Sequence, residues 1–249
     1  MVKTLILDIE TKPAEAYVWQ LWDVNVGLNQ IKENTDVLCW SSKWVGDDNI
    51  YFSSVFHHGK ENMVEALWEM MDEADEVVGF NSRQFDIKHM NAQFFMQGLP
   101  PPSPYKSVDL LRTIKGTMRF LSNKLDFISQ TLGIGHKVEH EGFPLWVACM
   151  EGDKKAWDIM REYNEQDVLL TERVYEKLLP WITTGVNRSA LTDDHVCPNC
   201  SSHKLQRRGV TRTLQLTYQR WQCQECGTWS RSVVAEAKSD RSKRLVIAR

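Results

Sequence analysis

No stretch of this 249-residue chain is long and apolar enough to span a bilayer, which excludes an α-helical membrane protein. The start, Met-Val-Lys-Thr, leads straight into a strand pattern without the regions of a signal peptide. An intracellular, cytoplasmic protein is therefore expected, nucleoid-associated if the source is bacterial or viral. No internal repeat or low-complexity segment is present, which leaves out solenoids and disordered tracts. The seven histidines are scattered, with no pair at metal-ligand spacing on one helix, and read as surface or core residues. Cysteines number only six, and in a reducing compartment they should be free or metal-bound, not cross-linked. What remains, 42% hydrophobic and 25% charged residues, is a soluble chain sized for one substantial domain and a small one.

Positive charge is scarce in the body and concentrated at the end. Residues 1–186 hold 18 basic against 28 acidic side chains, a balance of −10; residues 187–249 hold 12 against 5, a balance of +7. An acidic body with a basic tail suggests a nucleic-acid partner for the tail, although a solvated terminus would carry the same asymmetry.

The opening run Leu5-Ile6-Leu7 reads as a strand covered on both faces. Asp8 and Glu10 follow at i and i+2 and point to one side of it, their Cα atoms roughly 6.5–7 Å apart. Same-facing acids at a buried strand end repel each other unless a cation is present, and a hard divalent metal is the simplest remedy. A strand running out into solvent would accommodate the pair equally well.

Further on, residues 14–35 read as mixed loop and short helix. Strands are expected at 37–45 and from 50, forming an antiparallel meander with the first. An amphipathic helix should cover 61–74, a buried strand 76–80, a helix 83–97 and a short strand 106–109. Residues 110–179 are mainly helical with a break near Gly133 to Gly142, and the last long helix covers about 154–179. The pattern predicts a mixed α/β sheet. A linker over 180–195 divides a domain at 1–186 from one at 187–249.

Two further blocks carry acids. Asn81 suits a turn or helix cap, and Asp86 would begin the following helix, where the helix dipole favours an acid. Phe85 reads as a core residue or the edge of a cleft. Tyr163 and Asp167 stand at i and i+4, stacked on one helix face among apolar neighbours, where an inward acid needs a partner. A polar helix face would include both residues just as well. Asp109 reads as a helix cap and Asp126 as a partner of its own helix. Cys39 and Cys149 read as buried apolar side chains.

Taken in order, Asp-x-Glu-Thr at 8–11, Asn-x-x-x-Phe-Asp at 81–86 and Tyr-x-x-x-Asp at 163–167 resemble the motifs of the DEDD (DnaQ-like) 3′–5′ exonucleases. The stretch from Leu121 to Gly133 is similar to the segment preceding the third motif in family B polymerase exonuclease domains. The resemblance covers about residues 1–180, and Tyr163 makes it the tyrosine subtype. It implies a ribonuclease H-like mixed sheet flanked by helices and hydrolysis assisted by two Mg²⁺ or Mn²⁺. Asp8 would bridge the ions, with Glu10 and Asp167 holding the first and Asp86 supporting the second. Tyr163 would orient the attacking water. Asn81 and Phe85 are candidate nucleic-acid contacts.

Cys197-x-x-Cys200 and Cys223-x-x-Cys226, 22 residues apart, suit a tetrahedral four-thiolate site closing a β-hairpin. They resemble a zinc ribbon holding one structural Zn²⁺, with Leu214, Leu216, Tyr218 and Trp221 on a strand. Arg207, Arg208, Arg212, Arg220 and Arg231 lie among Tyr218, Trp221 and Trp229, a mixture suited to phosphates and bases. Tyr218 and Trp221 read as the ribbon's own small core, and the arginines as the nucleic-acid contacts. The expected function is a 3′–5′ exonuclease acting on single-stranded DNA, with replication or repair proteins as further partners and no membrane. An exoribonuclease of the same fold, or a non-catalytic nucleic-acid-binding or polymerase accessory protein, is the alternative.

Overall fold

The computed structural model describes residues 2–236; the terminal Lys238 to Arg249, expected to be a flexible basic extension, lies outside the described residues. Two compact units divide the chain, Met1–Tyr175 and Glu176–Arg249. Among the described residues no helix is long and apolar enough to cross a membrane.

The chain begins with β1 (Thr4–Lys12), a short pair β2 (Glu15–Ala16) and β3 (Ile31–Glu33), then β4 (Asp36–Trp44) and β5 (Ile50–Ser54). Helices α1 (Val55–His58) and α2 (Lys60–Glu73) lead to β6 (Glu76–Gly79), α3 (Asp86–Met96) and β7 (Lys106–Asp109). Four helices follow: α4 (Leu110–Thr117), α5 (Leu125–Thr131), α6 (Phe143–Met150) and α7 (Lys154–Leu178). The sheet order is β5-β4-β1-β6-β7, antiparallel from β5 to β1 and parallel from β1 to β7. This is the mixed α/β sheet flanked by helices that the sequence pattern predicts.

Strand alternation explains the role of β1. Leu5, Leu7 and Ile9 pack against Met63, Leu67 and Met71 of α2 and Met90 and Phe94 of α3. Each fully buried side chain of this kind contributes about 1.5–3 kcal/mol. The intervening Asp8 and Glu10 must then face the opposite side, where Leu38, Cys39, Leu145, Cys149, Trp157, Met160 and Tyr163 form a second core. Lys43 of β4 and Glu172 of α7 make a largely buried ion pair at 2.6 Å that ties this helix to the sheet.

Residues 14–35 are largely the mixed loop and short helix expected, with a short strand pair in addition. They form the β2–β3 pair and a single 3₁₀ turn, Leu28–Gln30. The ion pairs Lys12–Glu33 and Lys32–Glu15 lie across the strand pair. In the second unit β8 (Leu205–Arg212), β9 (Thr217–Cys223) and β10 (Trp229–Arg231) form an antiparallel sheet ordered β10-β9-β8. Leu214 and Leu216 precede β9. Thr213 and Leu216 close the turn by mutual hydrogen bonds, which leaves Leu214 80% exposed.

Gly79 ends β6 just before the turn that carries Asp86. A Cβ there would stand 2.5 Å from the Ser82 Cβ and 3.0 Å from the Leu7 carbonyl oxygen. Gly79→Ala is therefore expected to destabilise the first unit by about 1–3 kcal/mol. An unchanged denaturant midpoint would show that the turn can move without cost.

Candidate active site and cysteine cluster

Three elements deliver the acids. β1 supplies Asp8 and Glu10, the N-terminus of α3 supplies Asp86, and α7 supplies Asp167. Carboxylate oxygens of Asp8, Glu10 and Asp167 lie within 4.8 Å of one another, close enough to share a cation. Asp86 is not part of that trio. Its Oδ1 accepts the Ile9 backbone N–H at 3.0 Å, which fixes the start of α3 against β1. The Asp86 charge nonetheless acts on Asp8.

The turn before α3 is built on Asn81, whose φ of 67° is left-handed, a conformation asparagine tolerates better than most residues. Its carbonyl accepts the N–H groups of Gln84 and Phe85, so it serves the turn and not the cap. Asp109 holds the same turn by accepting the N–H groups of Asn81 and Arg83, and also caps α4 through Arg112. Phe85 sits at the rim against His89, ring centroids 4.6 Å apart. Asp126 accepts the Lys137 backbone N–H at 3.0 Å. Cys39 and Cys149 are buried.

Three functional candidates were not foreseen from the sequence. Asn164, fully buried on α7, donates its amide to Asp8 Oδ2 at 2.7 Å. Its place three residues before Asp167 puts it on the same helix face, a spacing that could have revealed it. Lys137 arrives from the loop between α5 and α6. Its ammonium donates to Asp167 Oδ2 and, at 3.1 Å, to the Tyr163 hydroxyl. Trp146 slightly eases the charge on Glu10, and with His140 it packs edge-on against the Tyr163 ring. An open cleft of about 830 Å³ runs beside this loop, lined by Gln130, Gly135, Lys137 and His140 among others.

Burial pushes Asp8 well above the usual carboxylate range, and the charges of Asp86, Asp167 and Glu10 push it further. Burial, then Asp167, raises Glu10 to about 8. Burial raises Asp86 to about 7 against two backbone hydrogen bonds. Burial also raises Asp167, and the Lys137 ammonium only partly opposes it. Tyr163 is lifted above its ordinary value by burial and by Asp167, so its hydroxyl keeps its proton. A cluster of hard oxygen donors that resists ionisation fits a divalent cation. Asp167 Oδ1 and Asn164 Oδ1, buried without hydrogen-bond partners, are acceptors still to be satisfied there.

The cysteines converge independently. Cys197 and Cys226 sulfurs are 3.6 Å apart and Cys200 and Cys223 sulfurs 3.7 Å, with all four within 4.8 Å. A tetrahedral site with metal–sulfur bonds of about 2.3 Å requires sulfur separations of about 3.8 Å, whereas a disulfide requires about 2.05 Å. The two knuckles have the same backbone pattern. Cys197 N–H donates to Ser202 and Cys223 N–H to Thr228, while Ser201 and Gly227, both at positive φ, donate back to Cys197 and Cys223. Burial would raise the Cys223 thiol, but the N–H groups of Cys226 and Glu225 outweigh it and bring it to about 7, ready to ionise. Trp221 packs against His195 at 4.5 Å and is half-buried, as is Tyr218.

The acid cluster fixes a pH dependence. Carboxyls titrating near 7 and 8 when folded but near 4 when unfolded keep protons in the folded state that the unfolded chain releases. The cation-free protein should therefore lose stability as pH rises from about 4 to about 8. Glu10→Gln should flatten that fall in denaturant midpoint, and a midpoint that rises over the interval would contradict the burial argument.

Among known proteins, the RNase_H superfamily matches residues 5–179. Comparison with curated proteins gives no match. Among solved structures, the family B DNA polymerase from the hyperthermophilic archaeon Pyrobaculum calidifontis is similar in fold. It aligns with TM-score 0.55 at 16% identity over 72% of this chain and 25% of that chain. The chain thus spans about a quarter of that polymerase's length. The family match takes in the acid-bearing residues of β1, α3 and α7, and on that ground the chain belongs to the RNase_H superfamily.

Proposed function

We propose that this chain is a metal-dependent 3′–5′ exonuclease of the DEDD tyrosine subtype, acting on single-stranded DNA. The observation that carries the reading is the meeting of Asp8, Glu10 and Asp167 oxygens within 4.8 Å, with the Tyr163 hydroxyl one helical turn from Asp167. Membership of the RNase_H superfamily supports nuclease chemistry, and the likeness to the polymerase supports the fold that such chemistry uses.

Asp8, Glu10 and Asp167 would hold one Mg²⁺ or Mn²⁺, and Asp8 with Asp86 a second. Bound divalent ions supply the Lewis acidity that activates water and stabilises a leaving oxygen. The chain's own groups do the rest. Asn164 orients Asp8 through Oδ2, and the Ile9 N–H orients Asp86. Tyr163, protonated across the physiological range, donates a hydrogen bond that positions the nucleophilic water and does not remove its proton. Lys137 neutralises Asp167 and holds the Tyr163 oxygen, which keeps the site assembled before metal and substrate arrive. Asn81 and Phe85, at the turn beside Asp86, would meet the terminal nucleotides. In the second unit, Cys197, Cys200, Cys223 and Cys226 would hold one structural Zn²⁺.

Digestion of end-labelled DNA and RNA oligonucleotides with Mg²⁺ or Mn²⁺ tests the reading. Asp8→Ala or Asp167→Ala should lower the rate by roughly a hundredfold or more. Tyr163→Phe should lower it about ten- to hundredfold, the worth of one charge-assisted hydrogen bond. An Asp8→Ala chain that digests as fast as the parent removes the site, and RNA outpacing DNA makes the chain an exoribonuclease.

Elemental analysis of protein purified without added metal should give one zinc per chain. Zinc near zero, with four titratable thiols in the native protein, rejects the ribbon.

A further inference from the structure

The five arginines singled out in the sequence do not share one side of the small sheet. Arg220 and Arg231 are directly opposed on β9 and β10, and Trp229 opposes Gln222 on the same pair. Strand alternation places Tyr218, Arg220 and Gln222 on one face of β9. Arg208, two residues after Gln206, which opposes Gln222, lies on that face too, and its guanidinium donates to Gln222 Oε1. Arg207 turns the other way. It donates to Gln219 and pairs with Glu236 at 3.7 Å. Arg212 pairs with Thr217 and belongs to that second face by register.

On the first face, guanidinium and aromatic groups interlock. The Arg220 Cζ lies 4.6 Å and the Arg208 Cζ 5.8 Å from the Trp229 ring centre, and the Arg231 Cζ lies 4.1 Å from that of Tyr218. Arg220 Nε donates to the Arg208 carbonyl at 3.0 Å, and Arg231 donates to the Ser232 carbonyl at 3.2 Å. Each guanidinium is oriented by one such bond and keeps further N–H groups for an anion. Among the described residues no carboxylate lies within ion-pair distance of Arg208, Arg220 or Arg231, whereas Glu225 is taken by Lys204. Trp229 is 48% exposed, so an open part of its ring lies among three cations.

Building on the nuclease reading, we propose that this face of the β8-β9-β10 sheet is a sequence-tolerant binding platform for single-stranded nucleic acid. A base stacks on Trp229, and Arg208, Arg220 and Arg231 take the flanking phosphates. Duplex would bury its base faces and leave Trp229 without a partner; an acidic protein would use the arginines but not the ring. From Tyr218 to Gln222 the face runs about 14 Å along the strand, room for about four nucleotides at the 3.4 Å spacing of a stacked strand.

The test is fluorescence anisotropy of a labelled oligothymidylate across a salt series. The full-length chain carries Asp8→Asn to prevent digestion, and zinc content is checked in every variant. Trp229→Ala should weaken binding about five- to hundredfold without changing the salt slope, and Trp229→Phe should restore most of the affinity. Joint Arg220→Ala and Arg231→Ala substitution should flatten the slope of log K against log salt by roughly 1.4, about 0.7 for each phosphate no longer neutralised. Arg212→Ala, on the other face, should do much less. Variants that retain zinc and bind like the parent overturn this platform and leave the face to a protein partner, while 3′-end digestion by the parent chain stands separately. A parent chain that neither binds nor digests single strands overturns both readings.

Discussion

Four carboxylates gathered at the end of one buried strand cannot all be charged without a compensating cation, and much of the first unit is arranged around that constraint. Strand alternation commits Asp8 and Glu10 to the side opposite α2 and α3 once Leu5, Leu7 and Ile9 are buried against those helices. Asp86 reaches the same place because the Ile9 N–H holds it there. Asp167 comes from α7. Burial raises all four, and repulsion within the cluster adds to it at Asp8 and Glu10, which makes the cluster a strong sink for protons or for a metal. Lys137 is the fold's own partial answer. Its ammonium on Asp167 offsets only part of the repulsion at Asp8 and Glu10, and Glu10 and Asp86 still titrate near 8 and 7.

The helix α7 converts that local constraint into a requirement on the whole unit. Tyr163, Asn164 and Asp167 lie within little more than one turn, so a small rotation of the helix would misplace all three together. Its orientation is set at two points along β1 and β4. Asn164 holds Asp8, and Glu172 holds Lys43 in a pair whose loss would leave an uncompensated buried charge, a cost of about 3–5 kcal/mol. Trp157 and Met160, one to two turns before Asn164, bury the same helix against Leu38 and Cys39, so packing and polar contacts fix the same angle.

Much of this was legible in the sequence because the signals were local. The Asp8/Glu10 spacing follows from the pleat of a strand, the Tyr163/Asp167 spacing from the pitch of a helix, and the caps at Asp109 and the turn at Asn81 from side-chain chemistry. The sheet and its helices followed from hydrophobic periodicity. Lys137, Asn164 and Trp146 were hidden for a different reason: each acts only across the fold, on a partner 30, 156 or more than 130 residues away, and none has a sequence neighbour that marks it. Within residues 14–35 the loop and short helix were legible but the β2–β3 pair was not, because strands of two and three residues are too short to show a periodic pattern.

The second unit shows why spacing can locate a site without orienting it. Two C-x-x-C pairs identify the sulfurs that must meet, and the repeated knuckle, with Ser201 and Gly227 at equivalent left-handed positions, brings them to tetrahedral separations. The same spacing says nothing about which arginines share a face. That depends on register: alternation from Gln206 puts Arg208 on the side of Trp229 and Arg207 on that of Gln219, while the irregularity between Arg207 and Val210 sets Arg212 opposite Thr217 on the second face. In a regular β8, Arg212 would oppose Leu216 and join Arg208 on the face of Trp229. The bulge thus leaves the aromatic–arginine face to Arg208, Arg220 and Arg231 and turns Arg212 away from it.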